Sequence, residues 1–143
     1  MSDDLPLPDF QTAFWAAKHD LAVATAAAFS RHGVHEGQQF ILRLLWDHDG
    51  QTPGEIARRL GLATPTVTRA ATRMEAAGLL RREPHPSDRR LVRLLLTERG
   101  HSLEGVIAAE TDKLTERALG TFGPAERECL IRALVAIRRN LAV

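Results

Sequence analysis

Cysteine is nearly absent from this 143-residue chain, since Cys129 is the only one. A single cysteine has no intramolecular partner, which excludes a scaffold held together by disulfides. No apolar run approaches the roughly 20 residues that span a bilayer. The first residues carry Asp3, Asp4 and Asp9, whereas a secretory signal would have a basic stretch and then an apolar one. These absences predict a soluble cytoplasmic protein without a membrane partner.

Catalytic and metal-binding patterns are also missing. The six histidines, which show no clear metal-ligand spacing, are His19, His32, His35, His48, His85 and His101. No Ser, His and Asp arrangement and no phosphate-cradling glycine loop suggests an enzyme. We therefore expect no catalytic residue, no metal and no cofactor, and a hydrolase or transferase on a helical fold is the weaker alternative. Cys129 falls inside the last predicted helix, where we expect a small core residue.

The net charge of +1 conceals an uneven distribution. From Pro53 to Arg93 the chain has nine arginines and four acidic residues, a net +5, whereas the remainder has ten basic and fourteen acidic residues, a net −4. A basic middle within an acidic frame is expected of a module that binds a polyanion. An unevenly charged solvated surface would give the same counts, so charge alone leaves both interpretations open.

Apolar residues recur at helical spacing in the first third of the chain. They predict a first helix from about Pro8 to His32, ended by Gly33, and a second from about Gly37 to His48. A third, short helix is indicated by Thr52, Pro53 and Glu55, because a threonine cap, a proline at the first helical position and a glutamate three residues after the cap form a helix start. Gly61 permits the backbone that ends this helix sharply.

A fourth helix starts after only a few residues and completes a helix-turn-helix. Thr64 is the predicted cap and Pro65 the first helical residue, and Gly78 stops the helix. The inward stripe is predicted to be Val67, Ala71 and Met74. The outward face presents Thr66, Arg69 and Arg73, flanked by Thr64, Thr68 and Thr72. Hydroxyls at a helix start can bind phosphate, and arginine can bind guanine in the major groove, although a helical hairpin with a polar face is the alternative.

A hairpin is predicted directly after this helix. Strands from about Leu79 to Glu83 and from Leu91 to Leu96 flank a segment with two prolines, which cannot be helical. The tip of the hairpin holds Asp88, Arg89 and Arg90, and guanidinium groups on such a projection can enter a narrow minor groove. A merely solvated hairpin tip is the alternative. Thr97 then caps another helix.

These motifs together resemble the MarR family of bacterial regulators. The resemblance rests on Thr52 to Leu62, on Gly78 to Arg82, on the Asp88-Arg89-Arg90 tip and on Leu96 to Gly100. It implies an obligate dimer with recognition helices in successive major grooves and wings in minor grooves. It also implies a small ligand that weakens DNA binding.

The last helix, from about Pro124 to Leu141, carries a heptad-like apolar seam. The residues predicted for a dimer interface are Phe10, Phe14, Leu21, Leu130, Leu134, Ile137 and Leu141. The long helix before it runs from about Thr97 to Leu119. The alternative is that these stripes close a monomeric core. We favour a homodimer, because DNA half-sites usually demand two-fold symmetry.

The predicted fold is mainly α with a small β-hairpin. Residues 1–143 form one domain, in which 37–97 are the winged helix-turn-helix, and 8–32 and 98–143 are dimerisation helices. The predicted function is a transcription regulator, in the first place a repressor, that binds a pseudo-palindromic operator in double-stranded DNA. The alternative is a winged-helix module that binds a protein.

The residues predicted to hold a small aromatic or anionic effector are Trp15, His19, Arg43 and Trp46. Trp15 and His19 lie one turn apart on the first predicted helix, and the other two lie on the second. Indole rings supply apolar walls, and His and Arg can fix an anion. The alternative is that both tryptophans are ordinary core residues.

Overall fold

Six helices and one antiparallel hairpin make up the computed structural model, which describes residues 5–35 and 37–143. The helices are α1 (Phe10–Ser30), α2 (Gln38–Asp47), α3 (Pro53–Leu60), α4 (Thr64–Ala76), α5 (Glu98–Leu119) and α6 (Pro124–Leu141). Strands β1 (Leu80–Pro84) and β2 (Val92–Leu96) form the hairpin. The predicted fold class is thereby confirmed. Asp3 and Asp4, used above to argue against a secretory signal, lie outside the described residues.

The helix boundaries follow from the local signals in the sequence. The Glu55 N–H donates to Thr52 Oγ1 at 3.2 Å, and the Gly100 N–H donates to Thr97 Oγ1 at 3.1 Å. Gly61 ends α3 with a φ of 68°, a left-handed conformation that glycine adopts at little cost. None of the helices in the described ranges is long and apolar enough to cross a membrane.

The prediction that Thr64 caps α4 is wrong. Ala63 is the N-cap, with an extended backbone, and Thr64 is already helical, so Pro65 occupies the second helical position. The Thr66 N–H donates to the Ala63 carbonyl at 3.0 Å, which moves the helix start back by one residue. Since alanine has no side-chain acceptor, no side chain of the described residues caps this helix.

The hydrophobic core lies between α2, α3, α4, the hairpin and the first half of α5. The largest fully buried side chains are Leu42, Leu45, Ile56, Met74, Leu79, Leu80, Leu94, Val34 and Val67. Helix α1 reaches this core only through its last turn, where Ala28 and Phe29 are buried. The core therefore fixes α4 and the hairpin on one body and leaves most of α1 outside it.

Helix α6 contributes no buried residue to the core of the chain. Its apolar residues Ile131, Leu134 and Val135 are 53%, 39% and 44% exposed. The alternative that the last helix closes a monomeric core therefore does not describe this structure. For the same reason the expectation of a core position for Cys129 is wrong, since its thiol-bearing side chain is exposed on α6.

Candidate nucleic-acid interface

Helix α4 has two sharply different faces. Val67, Ala71 and Met74 are completely buried, as their spacing predicted. Arg69 and Arg73 are exposed one turn apart on the opposite side, as is Thr66. The apolar stripe thus anchors the helix and fixes which side chains it presents to solvent.

The threonines beside this face differ in what they can offer a ligand. The Thr68 hydroxyl donates to the Thr64 carbonyl at 3.1 Å, and the Thr72 hydroxyl donates to the Thr68 carbonyl at 3.0 Å. In this arrangement both hydroxyls keep only acceptor lone pairs and a methyl group for a partner. The start of α4 offers few free N–H groups, because Pro65 has none and the Thr66 N–H donates to the Ala63 carbonyl at 3.0 Å.

The hairpin tip is built around two side chains that accept backbone hydrogen bonds. His85 Nδ1 accepts from the N–H groups of Ser87 and Asp88 at 3.1 and 3.2 Å. Asp88 Oδ1 accepts from the Arg90 N–H at 3.1 Å, and the Leu91 N–H closes the turn on the Asp88 carbonyl at 3.0 Å. These bonds give an otherwise solvated tip a defined shape.

Asp88 and Arg90 form a two-pronged ion pair at this tip. Arg90 Nε and Nη2 donate to Asp88 Oδ1 and Oδ2, both at 3.1 Å. The Arg90 side chain is 89% exposed, so the pair aims the guanidinium into solvent and does not bury it. The Arg90 side chain, followed by its N–H, holds the pKa of Asp88 below its ordinary value, and the carboxylate raises the pKa of Arg90.

The structure sorts the arginines of the basic middle into two groups. Arg81 and Arg93 share Glu83 at 2.9 and 3.3 Å. Arg82 pairs with Glu75 at 3.1 Å. Among the described arginines of the basic middle, five have no acidic partner within 4.0 Å, namely Arg58, Arg59, Arg69, Arg73 and Arg89. The positive charge that remains uncompensated is therefore concentrated on α3, on α4 and at the hairpin tip.

A groove of about 410 Å³ lies between α3, α4 and the hairpin. Thr64 and Thr68 line it from α4, Arg58 lines it from α3, and Leu91 and Val92 line it from the hairpin. Arg58 is not among the site residues that the sequence predicted. Its position two residues after the buried Ile56, and therefore on the opposite side of α3, is the signal that could have found it.

The four residues predicted to hold an effector do not meet in one cavity of this chain. Arg43 and Trp46 line a cavity of about 250 Å³ together with Glu104, Ile107 and Asp112 of α5. Trp46 is half-buried there, and its Nε1–H donates to the Gly100 carbonyl at 2.9 Å. Trp15 and His19 are exposed on α1 and do not line that cavity.

The predicted interface residues lie outside the core of the chain. Phe10, Phe14, Leu21 and Leu141 are 57%, 41%, 51% and 75% exposed. The Phe10 and Phe14 rings contact each other with their centroids 5.9 Å apart. Leu130 and Ile137 are partly exposed on α6. Helices α1 and α6 thus each present uncovered apolar side chains.

Residues 34–92 match the model of the MarR family. The HTH-type transcriptional regulator TtmR of Methylorubrum extorquens (strain PA1) is 32% identical over 143 residues, which cover 97% of this chain and 71% of TtmR. The HTH-type transcriptional repressor MdtR of Bacillus subtilis (strain 168) is 30% identical over 99 residues, which cover 69% of this chain and 64% of MdtR. The fold is similar to that of S. aureus MepR in a DNA complex, with a TM-score of 0.86, 20% identity, and 94% and 100% of the two chains covered.

Proposed function

This chain belongs to the MarR family of transcriptional regulators, and from that premise we propose that it binds a pseudo-palindromic operator in duplex DNA as a homodimer and represses transcription. The observation that carries this proposal is the pair Arg69 and Arg73. Both are exposed on the face of α4 opposite its buried stripe, and neither has an acidic partner among the described residues. The name of MdtR, a repressor, supports the direction of regulation.

In this proposal α4 is the recognition helix and enters the major groove. Arg69 and Arg73 donate to base edges or phosphates, and Thr64, Thr66 and Thr68 contact DNA near the start of the helix. The hairpin β1–β2 is the wing. Its tip reaches the minor groove through Arg90, with Arg89 beside it and Asp88 holding Arg90 in place.

The homodimer is formed by α1, α5 and α6. Its interface contains Phe10, Phe14, Leu21, Leu130, Leu134, Ile137 and Leu141. In the described part of the chain no residue of α6 is buried, and Leu134 and Leu141 of its apolar seam are 39% and 75% exposed. A second copy would remove that surface from water. The chain then divides into a winged helix-turn-helix at 37–97 and dimerisation helices at 8–32 and 98–143, and the family match at 34–92 agrees with the first of these.

The DNA proposal is tested by fluorescence anisotropy with an operator selected from random duplexes. The variant Arg69→Ala/Arg73→Ala should lose roughly 1–3 kcal/mol of binding free energy for each arginine that reads a base. The matched control is Lys113→Ala/Arg117→Ala, which removes the same charge from α5 at residues outside the proposed interface set and should change neither the sedimentation of the protein nor, by much, its affinity. Equal affinities for the two double variants would contradict the assignment of α4. Failure of the wild-type protein to bind any duplex at low salt would favour the protein-binding alternative, although the α4 face exposes threonine and arginine and no aromatic residue.

The effector site that we propose contains fewer residues of one chain than the sequence predicted. The cavity lined by Arg43 and Trp46 would take a small aromatic acid with its ring against the indole and its carboxylate on the Arg43 guanidinium, away from the Glu104 and Asp112 carboxylates that also line it. Trp15 and His19 join this site only if dimerisation brings α1 of the partner towards it. An effector releases DNA only through a higher affinity for the dimer form that does not bind DNA.

The test uses Trp15→Phe, so that Trp46 is the one remaining indole. Salicylate and larger aromatic acids are titrated against Trp46 fluorescence and, in parallel, against operator affinity. A compound that changes both, and whose effect is lost in Arg43→Ala, supports the site. If no compound changes both, regulation by such acids at this cavity is wrong.

A further inference from the structure

The last turn of α4 is joined to the first strand of the wing by Glu75. Its Oε2 accepts from the Arg82 backbone N–H at 3.0 Å, and its Oε1 accepts from Arg82 Nε and Nη2 at 3.3 and 3.1 Å. One carboxylate therefore takes three hydrogen bonds from one residue of β1. These bonds, led by the one from the Arg82 N–H, hold the pKa of Glu75 below its ordinary value, so it is ionised at neutral pH.

The direction of the Arg82 N–H shows which edge of β1 Glu75 contacts. Arg82 faces Leu94 across the hairpin, yet its N–H donates to Glu75 and not to β2. The Arg82 N–H therefore lies on the outer edge of β1, the edge that faces away from β2 and that a two-stranded sheet leaves uncovered. The Glu75 carboxylate, which belongs to the proposed recognition helix, supplies the acceptor for the Arg82 N–H at this edge.

We propose that Glu75 is a positioning residue that sets the angle between the recognition helix and the wing, so that Arg90 reaches DNA when α4 is seated in the major groove. The inference rests on the proposed function, since it presupposes that α4 and the wing tip contact the same duplex. Within the hairpin, Glu83 of β1 pairs with Arg93 of β2 and with Arg81 of its own strand. Glu75 instead ties the hairpin to α4.

Two physical effects of removing Glu75 have opposite signs. Loss of a negative charge near a polyanion, together with release of the Arg82 guanidinium, should tighten DNA binding. Loss of the fixed wing angle should weaken binding, because Arg90 no longer arrives with α4. The proposal requires that the second effect exceeds the first, so the sign of the change discriminates between them.

The experiment is a double-mutant cycle on the intact protein with a selected operator, measured by anisotropy at several salt concentrations. The variants are Glu75→Ala, Arg90→Ala and the two combined. We expect Arg90→Ala to weaken binding roughly tenfold and to lower the salt slope. Glu75→Ala should weaken binding by a similar factor, and the combined variant should be no weaker than Arg90→Ala alone.

Two further readouts separate positioning from general destabilisation. Hydroxyl-radical protection in the minor groove should be lost in Glu75→Ala, while dimethyl sulfate protection of guanine N7 in the major groove should persist. Glu75→Gln keeps an acceptor for the Arg82 N–H and should fall between the wild type and Glu75→Ala. The control Glu128→Ala removes a carboxylate paired with Arg132 on α6, outside the seven proposed interface residues, and should leave the sedimentation of the protein, the affinity and both footprints unchanged.

Several outcomes would overturn the proposal. They are unchanged or tighter binding by Glu75→Ala, losses that multiply in the combined variant, or parallel loss of both footprints. If Glu75→Ala does not fold, the cycle with Glu75→Gln decides by the same criteria. If Arg90→Ala binds like the wild type, the positioning role is wrong while the α4 contact can stand. A wild-type protein that binds no duplex refutes the proposed function itself.

Discussion

Gly100, in the first turn of α5, should tolerate no side chain. A Cβ at this position would overlap the Leu79 carbonyl oxygen and lie 3.1 Å from Leu96 Cδ2. The obstacle is backbone at the start of the wing and not the end of a flexible side chain. We therefore expect Gly100→Ala to force α5 and β1 apart.

The size of the effect follows from the bonds at this junction. Ordinary contact between a carbon and a carbonyl oxygen is about 3.3 Å, so a separation of about 1 Å is needed. That movement would break the Thr97 N–H bond to Leu79 O at 3.1 Å and the Thr97 hydroxyl bond to Gly78 O at 2.6 Å. At about 1 kcal/mol per bond, with about 1–3 kcal/mol for the misfit, the loss is about 3–5 kcal/mol.

The matched control is Gly105→Ala in the same helix. A Cβ at Gly105 would meet no atom within 4 Å, so this substitution should stabilise the helix by up to about 1 kcal/mol. Urea unfolding at one fixed protein concentration measures both variants. With a slope of about 2 kcal/mol per M, the midpoint should fall by about 2 M for Gly100→Ala and rise slightly for the control.

A Gly100→Ala midpoint within the error of the wild type would refute this reasoning, as would an equal loss in the control. The operator affinity of the Gly100→Ala variant adds a second readout, because the displaced junction joins α5 to the first strand of the wing. Because the same junction carries the Trp46 Nε1–H bond to the Gly100 carbonyl, a folded Gly100→Ala variant should also show altered Trp46 fluorescence.

Two other predictions concern the interface and acid stability. Leu134→Asp should bury an unpaired charge in the α6 seam and abolish dimer and DNA binding together, and sedimentation of a stable wild-type monomer at micromolar concentration would contradict it. Acid should destabilise the protein, because arginine and N–H partners hold the pKa values of Glu75, Glu83 and Asp88 below their ordinary values. Their contribution is present at neutral pH and is lost as pH falls through the lowered values. Urea midpoints that do not decline between pH 5 and pH 3 would contradict this sign.

The sequence alone determined the order and kind of the elements, since these depend on neighbours a few residues apart. The Thr52 cap, the Gly61 stop and the buried stripe Val67, Ala71 and Met74 are local signals, and all appear in the structure. The N-cap of α4 was missed by one residue, because an extended Ala63 supplies a carbonyl that any residue can offer. The polar face of α4 followed directly from the buried stripe.

Tertiary structure alone decided which charges are free and which surfaces are covered. Nothing in the spacing of the basic middle separates Arg82, held by Glu75, from Arg69, which has no acidic partner within 4.0 Å among the described residues. Likewise, Cys129 has the helical setting of a core residue but lies on a helix that its own chain leaves uncovered. Helix caps and apolar periodicity depend on residues within one or two helical turns of each other. Ion pairing and burial depend on how whole elements lie relative to one another, which the Gly78 turn and the α5–α6 connection determine.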